Sequence, residues 1–248
     1  MAVKCGMGCV RRFILSDSCG YYPDRESRLF FLWDELNEFT LADITQLLNR
    51  GYRRNGSYYY HTRCRMCHEC VPYRIDVTMF RWSRSFRRIQ KKNSDLTVSW
   101  QKPELTEEKI KLYLAYQKMR HRPQGEQVAK DWIQQNMESL HRQMYSHTRH
   151  SLELVIRIDD ELIGFAIFDR SLDSLSAVYS VFDPRLKGRS LGAYNILKGI
   201  EKTQGLGLRY FNLGLYLKHH PKMYYKKKYQ PAEILSGKTW ISLQESSQ

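Results

Sequence analysis

The sequence predicts an α+β fold in two parts: an N-terminal, cysteine-containing, basic α/β subdomain over residues 1–103 and a second domain over residues 104–248. Three observations predict it. Positive charge is packed into the first part. The alternation at Val71, Tyr73, Ile75, Val77 and Met79 has the period of a half-buried strand. The second half reads as three strands, a helix and a strand, and Pro103 breaks the chain between the two textures.

The elements follow in order. Thr40 is a helix N-cap with Asp43 three residues on, Leu41, Ile44, Leu47 and Leu48 share the next helical face, and Gly51 is a stop. Asn55-Gly56, between aromatic-rich flanks, predicts a hairpin whose two turn residues both take positive φ. Leu96, Val98 and Trp100 continue the strand pattern that Val71 begins. Helices are expected over 106–120 and from about Glu126 to Tyr145. Strands follow at 151–158, 161–169 and 175–182, with an Asp159-Asp160 turn between the first two. Asp183-Pro184 opens a loop, Leu191, Tyr194, Leu197 and Ile200 mark one face of a helix, and 208–214 is the last strand. In N-acetyltransferase-like (GNAT) folds this order builds a splayed sheet with the acyl donor beside the helix, an analogy of fold that leaves function open.

Composition narrows the function classes. The chain has 248 residues, 40 Lys+Arg against 26 Asp+Glu, and a formal charge of +14. At 42% hydrophobic and 13% aromatic it can build a core, which excludes a disordered chain. No apolar run approaches the ~18 residues of a membrane span, and Phe13-Ile14-Leu15 is far shorter than the ~7–15 apolar residues of a secretory signal. Ala2 and the Glu-Ser-Ser-Gln end match no common lipid-anchor signal. The expectation is therefore a cytoplasmic protein without membrane partners, its six cysteines reduced.

Arg50 to Lys92 carries twelve basic residues and two acidic ones, and Lys218 to Lys228 five lysines and no acid. Such a block attracts polyanions. The interleaved Tyr52, Tyr58, Tyr59, Tyr60, Tyr73, Phe80, Trp82 and Phe86 suit stacking on unpaired bases, which favours nucleic acid over a membrane surface. Cys64-x2-Cys67-x2-Cys70 puts three thiols within seven residues; Cys19 offers a fourth ligand, with Cys5 and Cys9 in reserve. Zinc and iron–sulfur clusters both accept such spacing, and the surrounding arginines are expected to lower the thiol pKa.

Ten short motifs, collinear from about Cys19 to Trp240, carry a resemblance. They include Cys19-Gly20-Tyr21-Tyr22-Pro23-Asp24-Arg25, Gly51-Tyr52-Arg53-Arg54-Asn55-Gly56, the Cys64/Cys67 triplet, Val71-Pro72-x-Arg74, and Ser85-x-Arg87-Arg88. Further along stand Arg120-His121 with Gly125, Phe182-Asp183-Pro184, Ser190-Leu191-Gly192, Leu213-Gly214, and Pro221-Lys222-Met223-x-Tyr225-Lys226. The chain is identified by them as a member of the arginyl-tRNA–protein transferase family, and it resembles the bacterial aspartate/glutamate leucyltransferases. The resemblance implies a reaction: leucine or arginine passes from charged tRNA to the α-amine of a protein beginning with Asp or Glu, marking it for degradation. It implies an N-terminal cysteine domain and an acetyltransferase-like C-terminal domain. A monomer is expected, with no cofactor required for the chemistry and a structural or regulatory zinc or iron–sulfur cluster as the candidate occupant of Cys19, Cys64, Cys67 and Cys70.

The chemistry asks for an RNA-end site, an aminoacyl pocket and a cation for the acidic N-terminus. For tRNA the candidates are Arg53, Arg84, Arg87, Arg88, Lys91 and Lys92. For the acidic side chain they are Arg54, Arg74 and Lys222. Transfer is expected beside Ser190 and Leu191 at a helix start, with Tyr216, Lys222 and Tyr225 shaping the pocket and Leu215 lining a leucyl site. His219, His220, Asp183 and Asp169 are candidates for proton transfer, although Asp183 before Pro184 is equally a turn residue. The family's acids before Pro-Lys-Met are replaced by Lys218-His219-His220, which tilts the donor toward leucine, with Glu153, Asp169 or Asp173 left to serve an arginyl group. Two competing readings are an acyl-CoA N-acetyltransferase, through the near-miss Arg185-x-x-Gly188-x-Ser190, and a non-enzymatic tRNA-binding zinc-knuckle protein.

Overall fold

A computed structural model describes residues 10–120 and 131–243. Its first sheet has four antiparallel strands in the order β1-β2-β4-β3: β1 (Arg11–Ser18), β2 (Glu26–Trp33), β3 (Arg53–Asn55) and β4 (Tyr58–Thr62). Between β2 and β3 lies α1 (Leu41–Asn49), opened by the expected capping box of Thr40 and Asp43. Its Ile44, Leu47 and Leu48 pack with Leu32, Phe39 and Tyr59 in a small core. The hairpin turn is shifted one residue from expectation. Asn55 pairs with Tyr58, so Gly56-Ser57 is the loop, and of these only Gly56 has positive φ, at 62°. The backbone O of Arg142 would lie 2.3 Å from a Cβ there, so the close approach of another segment requires glycine as well.

The second sheet has eight strands: β5 (Val71–Asp76), β6 (Thr97–Gln101), β7 (Ser151–Ile158), β8 (Glu161–Arg170), β9 (Ser174–Phe182), β10 (Tyr210–Tyr216), β11 (Ala232–Ser236) and β12 (Thr239–Ser242). Their order is β12-β11-β5-β10-β9-β8-β7-β6. Two of these strands, β5 and β6, precede residue 103, so the expected division of the chain falls inside this sheet. β5 is hydrogen-bonded between β10 and β11, two strands from the far end of the sequence.

Helices cover both faces. On one, α2 (Arg84–Lys92) and α5 (Leu191–Gly205) bury Phe86, Tyr194, Leu197 and Ile200 against the sheet. On the other, α3 (Glu107–Arg120) and α4 (Trp132–Leu140), the latter continuing as a π-helical turn, His141–Tyr145, bury Tyr113, Tyr116, Leu140 and Met144. Each fully buried large apolar side chain contributes about 1.5–3 kcal/mol. β8 reads as an almost unbroken apolar run because both its faces are covered. The helix expected from Glu126 begins outside the described residues, as do His121 and Gly125. Tyr59, Tyr73, Phe80 and Phe86 are buried in the cores, so they are not free to stack on bases as the charge pattern suggested.

One pairing creates the site. β9 and β10 are parallel, joined through α5, the kind of link a parallel pair requires. They pair only from Tyr210 with Ser174 to Asn212 with Ser176. Beyond Asn212, β10 bulges at Leu213-Gly214 and regains β5 at Leu215, leaving β9 to diverge. This is the splay that the element order predicted.

Candidate active site

The splay opens a cleft of about 600 Å³. Its walls are apolar: Ala166 and Phe168 from β8, Ala177 and Val178 from β9, Ile196 from α5, and Leu213 from β10. Gly192 and Ala193 bring in the start of α5, which no side chain caps, so its free backbone N–H groups can meet an anion. Among the described residues four cations line the cleft, Arg53, Lys222, Lys226 and Lys228, and no carboxylate does.

Arg53 comes from β3 in the other sheet, and its guanidinium would lie 3.0 Å from a Cβ on Gly214. It donates to the Tyr60 hydroxyl at 3.2 Å, and among the described residues it pairs with no acid. The exposed cations of α2, namely Arg84, Arg87, Arg88, Lys91 and Lys92, lie on a helix that packs on α5, and its C-terminal end meets the loop that starts α5. There the Asn93 amide, just past α2, donates to Arg189 O at 2.9 Å. Of the basic block, Arg53 lines the cleft itself.

Lys226, which the motif reading left without a role, sits in a short 3-10 turn, Tyr224–Lys228, after β10. It is buried among exposed lysines 227 and 228. Its Nζ donates to Leu213 O at 2.8 Å and also to Leu215 O, the carbonyls that the bulge exposes. Burial, reinforced by the Arg53 charge, holds its pKa down at about 7. Asn195 was also missed, although a polar residue between Leu191 and Gly199 on the buried stripe of α5 is a visible signal.

Several expected site residues have other duties. Arg54 Nε lies 2.7 Å from Asp169 Oδ2, and Ser151 Oγ donates to the other oxygen of the same carboxylate at 2.7 Å. That buried pair removes Arg54 as an acceptor-binding cation and Asp169 as a water holder. Arg74 is half of a second pair, 2.6 Å from Glu233, with its guanidinium between the Tyr210 and Trp240 rings. Asp183 is clamped by Arg185, which holds its carboxyl below the usual range, so it is the turn residue and not a base. The same clamp takes Arg185 from the pyrophosphate cradle that an acyl-CoA enzyme needs. Glu153 is buried against Lys109 and Tyr145, and Asp173 does not line the cleft, so among the described residues no acid awaits an arginyl group there.

Leu191 and Leu215 belong to the buried interior, and exposed Ser190 precedes α5 with φ 56°. Tyr216 packs against Tyr73 and faces, with His219, a separate cavity of about 190 Å³. His220 Nε2–H donates to Tyr21 O at 3.2 Å while its Nδ1 accepts from the Lys222 N–H, so neither nitrogen is available as a base. Lys222 and Tyr225 do line the cleft, as expected.

The four cysteines lie together, half-buried, around a basic hollow of about 1090 Å³ that Cys64, Cys67 and Cys70 line. Arg25 reaches Cys67 Sγ at 3.3 Å. Burial, with the neighbouring thiols, pushes the Cys70 thiol up to about 12, against the lowering expected from nearby arginines. Among the described residues no group of three or more His, Cys, Asp or Glu side chains is positioned to hold a metal ion. The described thiols alone therefore make no complete ligand set. Cys5 and Cys9 lie outside the described residues.

Comparison with known proteins adds the following. A family model described as arginine-tRNA-protein transferase, N terminus, matches residues 17–88, and one described as arginine-tRNA-protein transferase, C terminus, matches residues 108–236. An aspartate/glutamate leucyltransferase of Leptospira interrogans is 40% identical over 218 residues, 88% of this chain and 83% of that protein. One from Pseudomonas fluorescens is 35% identical over 228 residues, 91% and 93% of the two chains. Among solved structures, FemX matches with a TM-score of 0.50 at 6% identity over 94% of this chain and 88% of its own, a likeness of fold.

Proposed function

We infer the activity from a premise the comparisons establish: the chain belongs to the arginine-tRNA-protein transferase family. It is an aminoacyltransferase that moves an amino acid from charged tRNA to the α-amine of proteins beginning with Asp or Glu. The donor amino acid is leucine. The observation that carries this reading is the cleft itself, apolar in its walls, cationic at Arg53, Lys222 and Lys228, and lined by no carboxylate among the described residues. A leucyl side chain fits such walls. A guanidinium in a buried site without an acid would stand desolvated and unpaired.

The α2 cations and the α5 N-terminus hold the RNA backbone, and the ester-bearing terminus enters the splay. Arg53 and Lys222 draw the acceptor's first carboxylate to the mouth. The acceptor α-amine has an ordinary pKa of ~7.7–8.0 and must lose a proton to attack. Lys226 takes it. A neutral amine has two N–H bonds, and the two carbonyls use both, leaving the lone pair as the only vacant position on Nζ. The amine nitrogen bonds to the ester carbonyl carbon, the carbon–oxygen bond to the ribose breaks, and the proton passes to the departing ribose oxygen. Alignment of amine and ester supplies much of the acceleration, and the base adds ~10²–10⁴-fold. The proposed setting is a monomer acting in the cytoplasm. No helix among the described residues is long and apolar enough to cross a membrane.

The test is a transfer assay offering Asp-, Glu- and Ala-initiated peptides with tRNA charged with leucine or arginine. Label is expected on the acidic peptides from leucyl-tRNA. Label on the Ala peptide at an equal rate refutes the acceptor assignment, and preference for arginyl-tRNA refutes the donor.

A further inference from the structure

Asn195 projects from α5 into the cleft at 2% exposure, and neither its Oδ1 nor its Nδ2 has a hydrogen-bond partner among the described residues. Leaving a buried polar group unpaired is costly, and Asn leaves two. A bare packing role at this position would be filled by Leu or Met at no such penalty. The unmet donor and acceptor are therefore complementary to a ligand that brings one of each, side by side.

The ligand's charge can be decided. Among the described residues the cleft holds four cations and no acid, so a buried ammonium, such as the donor's α-amine in its charged form, would meet like charge without compensation from them. A neutral, flat group with an adjacent acceptor and donor meets no such barrier. Adenine offers this on its N7/N6 edge, the edge that Asn reads in a bidentate way. Phe182, half-buried, lines the same cleft and supplies a face on which an unstacked base can rest. The cations at the mouth suit the phosphates that precede a terminal nucleoside.

We propose that Asn195 reads the terminal adenine of the donor tRNA, with Nδ2–H donating to N7 and Oδ1 accepting from the N6 amino group. This rests on the transferase reading above and adds to it a base-specific subsite within the cleft.

The test uses the full chain and leucylated minihelix RNAs that end in adenosine or in 7-deazaadenosine, which replaces N7 by C–H. With wild-type protein, kcat/KM for 7-deazaadenosine is expected to fall about tenfold. Asn195→Ala and the near-isosteric Asn195→Leu should lose about ten- to a hundredfold on the natural end and no longer distinguish the two RNAs. Asn195→Leu also fills the space, so it separates recognition from a packing defect, and thermal unfolding of both variants reports the fold. If wild type is indifferent to N7, or if either folded variant keeps the full 7-deaza penalty, the assignment is wrong. Absence of any transfer by wild type from the natural RNA would instead sink the transferase reading, so the two failures are distinguishable.

Discussion

Arg54 and Asp169 form an ion pair at 2.7 Å in which both side chains are almost wholly buried, and it ties the β3–β4 hairpin to β8 of the large sheet. Its neighbour Arg53 points the other way, into the cleft, because successive residues of a strand face opposite sides. One dipeptide thus supplies both the joint between the sheets and a cation of the site. Arg54→Ala is expected to cost about 3–5 kcal/mol by urea denaturation, since it strands a buried carboxylate. The double variant with Asp169→Asn should be less damaged than the sum of the singles. Additivity, or a loss below about 1 kcal/mol, would contradict this role.

Lys226 sets a pH profile. Burial depresses its pKa from 10.5 to about 7. Between those values the unfolded chain binds a proton that the folded chain does not, so this group makes stability rise with pH through that window, and its penalty is fully present below about 7. As a base it must be neutral, so transfer should decline as pH drops below about 7. Lys226→Met should lower kcat by ~10²-fold or more, and in stability against pH it should flatten the rise between 7 and 10.5. An unchanged rate in a folded variant would leave Lys226 as a prop for the bulge only.

The exposed α2 cations should act by neutralising phosphates. Replacing Arg87, Arg88 and Lys91 together with alanine should weaken tRNA binding and reduce the slope of log K against log salt by about 0.7–0.9 for each phosphate no longer neutralised. Salt-dependent filter binding measures this, and an unaltered slope would show that α2 does not touch the RNA.

Gly214 keeps the bulge and Arg53 in register. Its φ is 77°, and a Cβ would sit 3.0 Å from the Arg53 guanidinium. Gly214→Ala should therefore raise KM for acidic-start peptides several-fold while tRNA binding by α2 stays within twofold; equal effects on both would contradict it.

Much of this was legible in sequence. The Thr40 cap, the strands from Ser151 to Phe182 and the α5 face follow from local periodicity and capping, which neighbours alone determine. β1 was not legible, because all but one of its residues are exposed and no buried alternation marks it. The partners of Arg54 and Arg74 lie 115 and 159 residues away, so nothing local distinguishes a structural arginine from a substrate-binding one. Lys226 looks like its neighbours until burial separates it from them. The apolar walls of the cleft were visible as strands, but the place where β9 and β10 part depends on the bulge at Gly214.

On the proposed mechanism, cations inside the cleft select the acceptor's first side chain. The most direct measurement compares kcat/KM for Asp- and Asn-initiated peptides in wild type and in Arg53→Ala. Wild type is expected to prefer Asp strongly, and that preference to shrink by about tenfold or more in the variant, with transfer to the Asn peptide nearly unchanged. An Asp preference that survives intact in folded Arg53→Ala would contradict it.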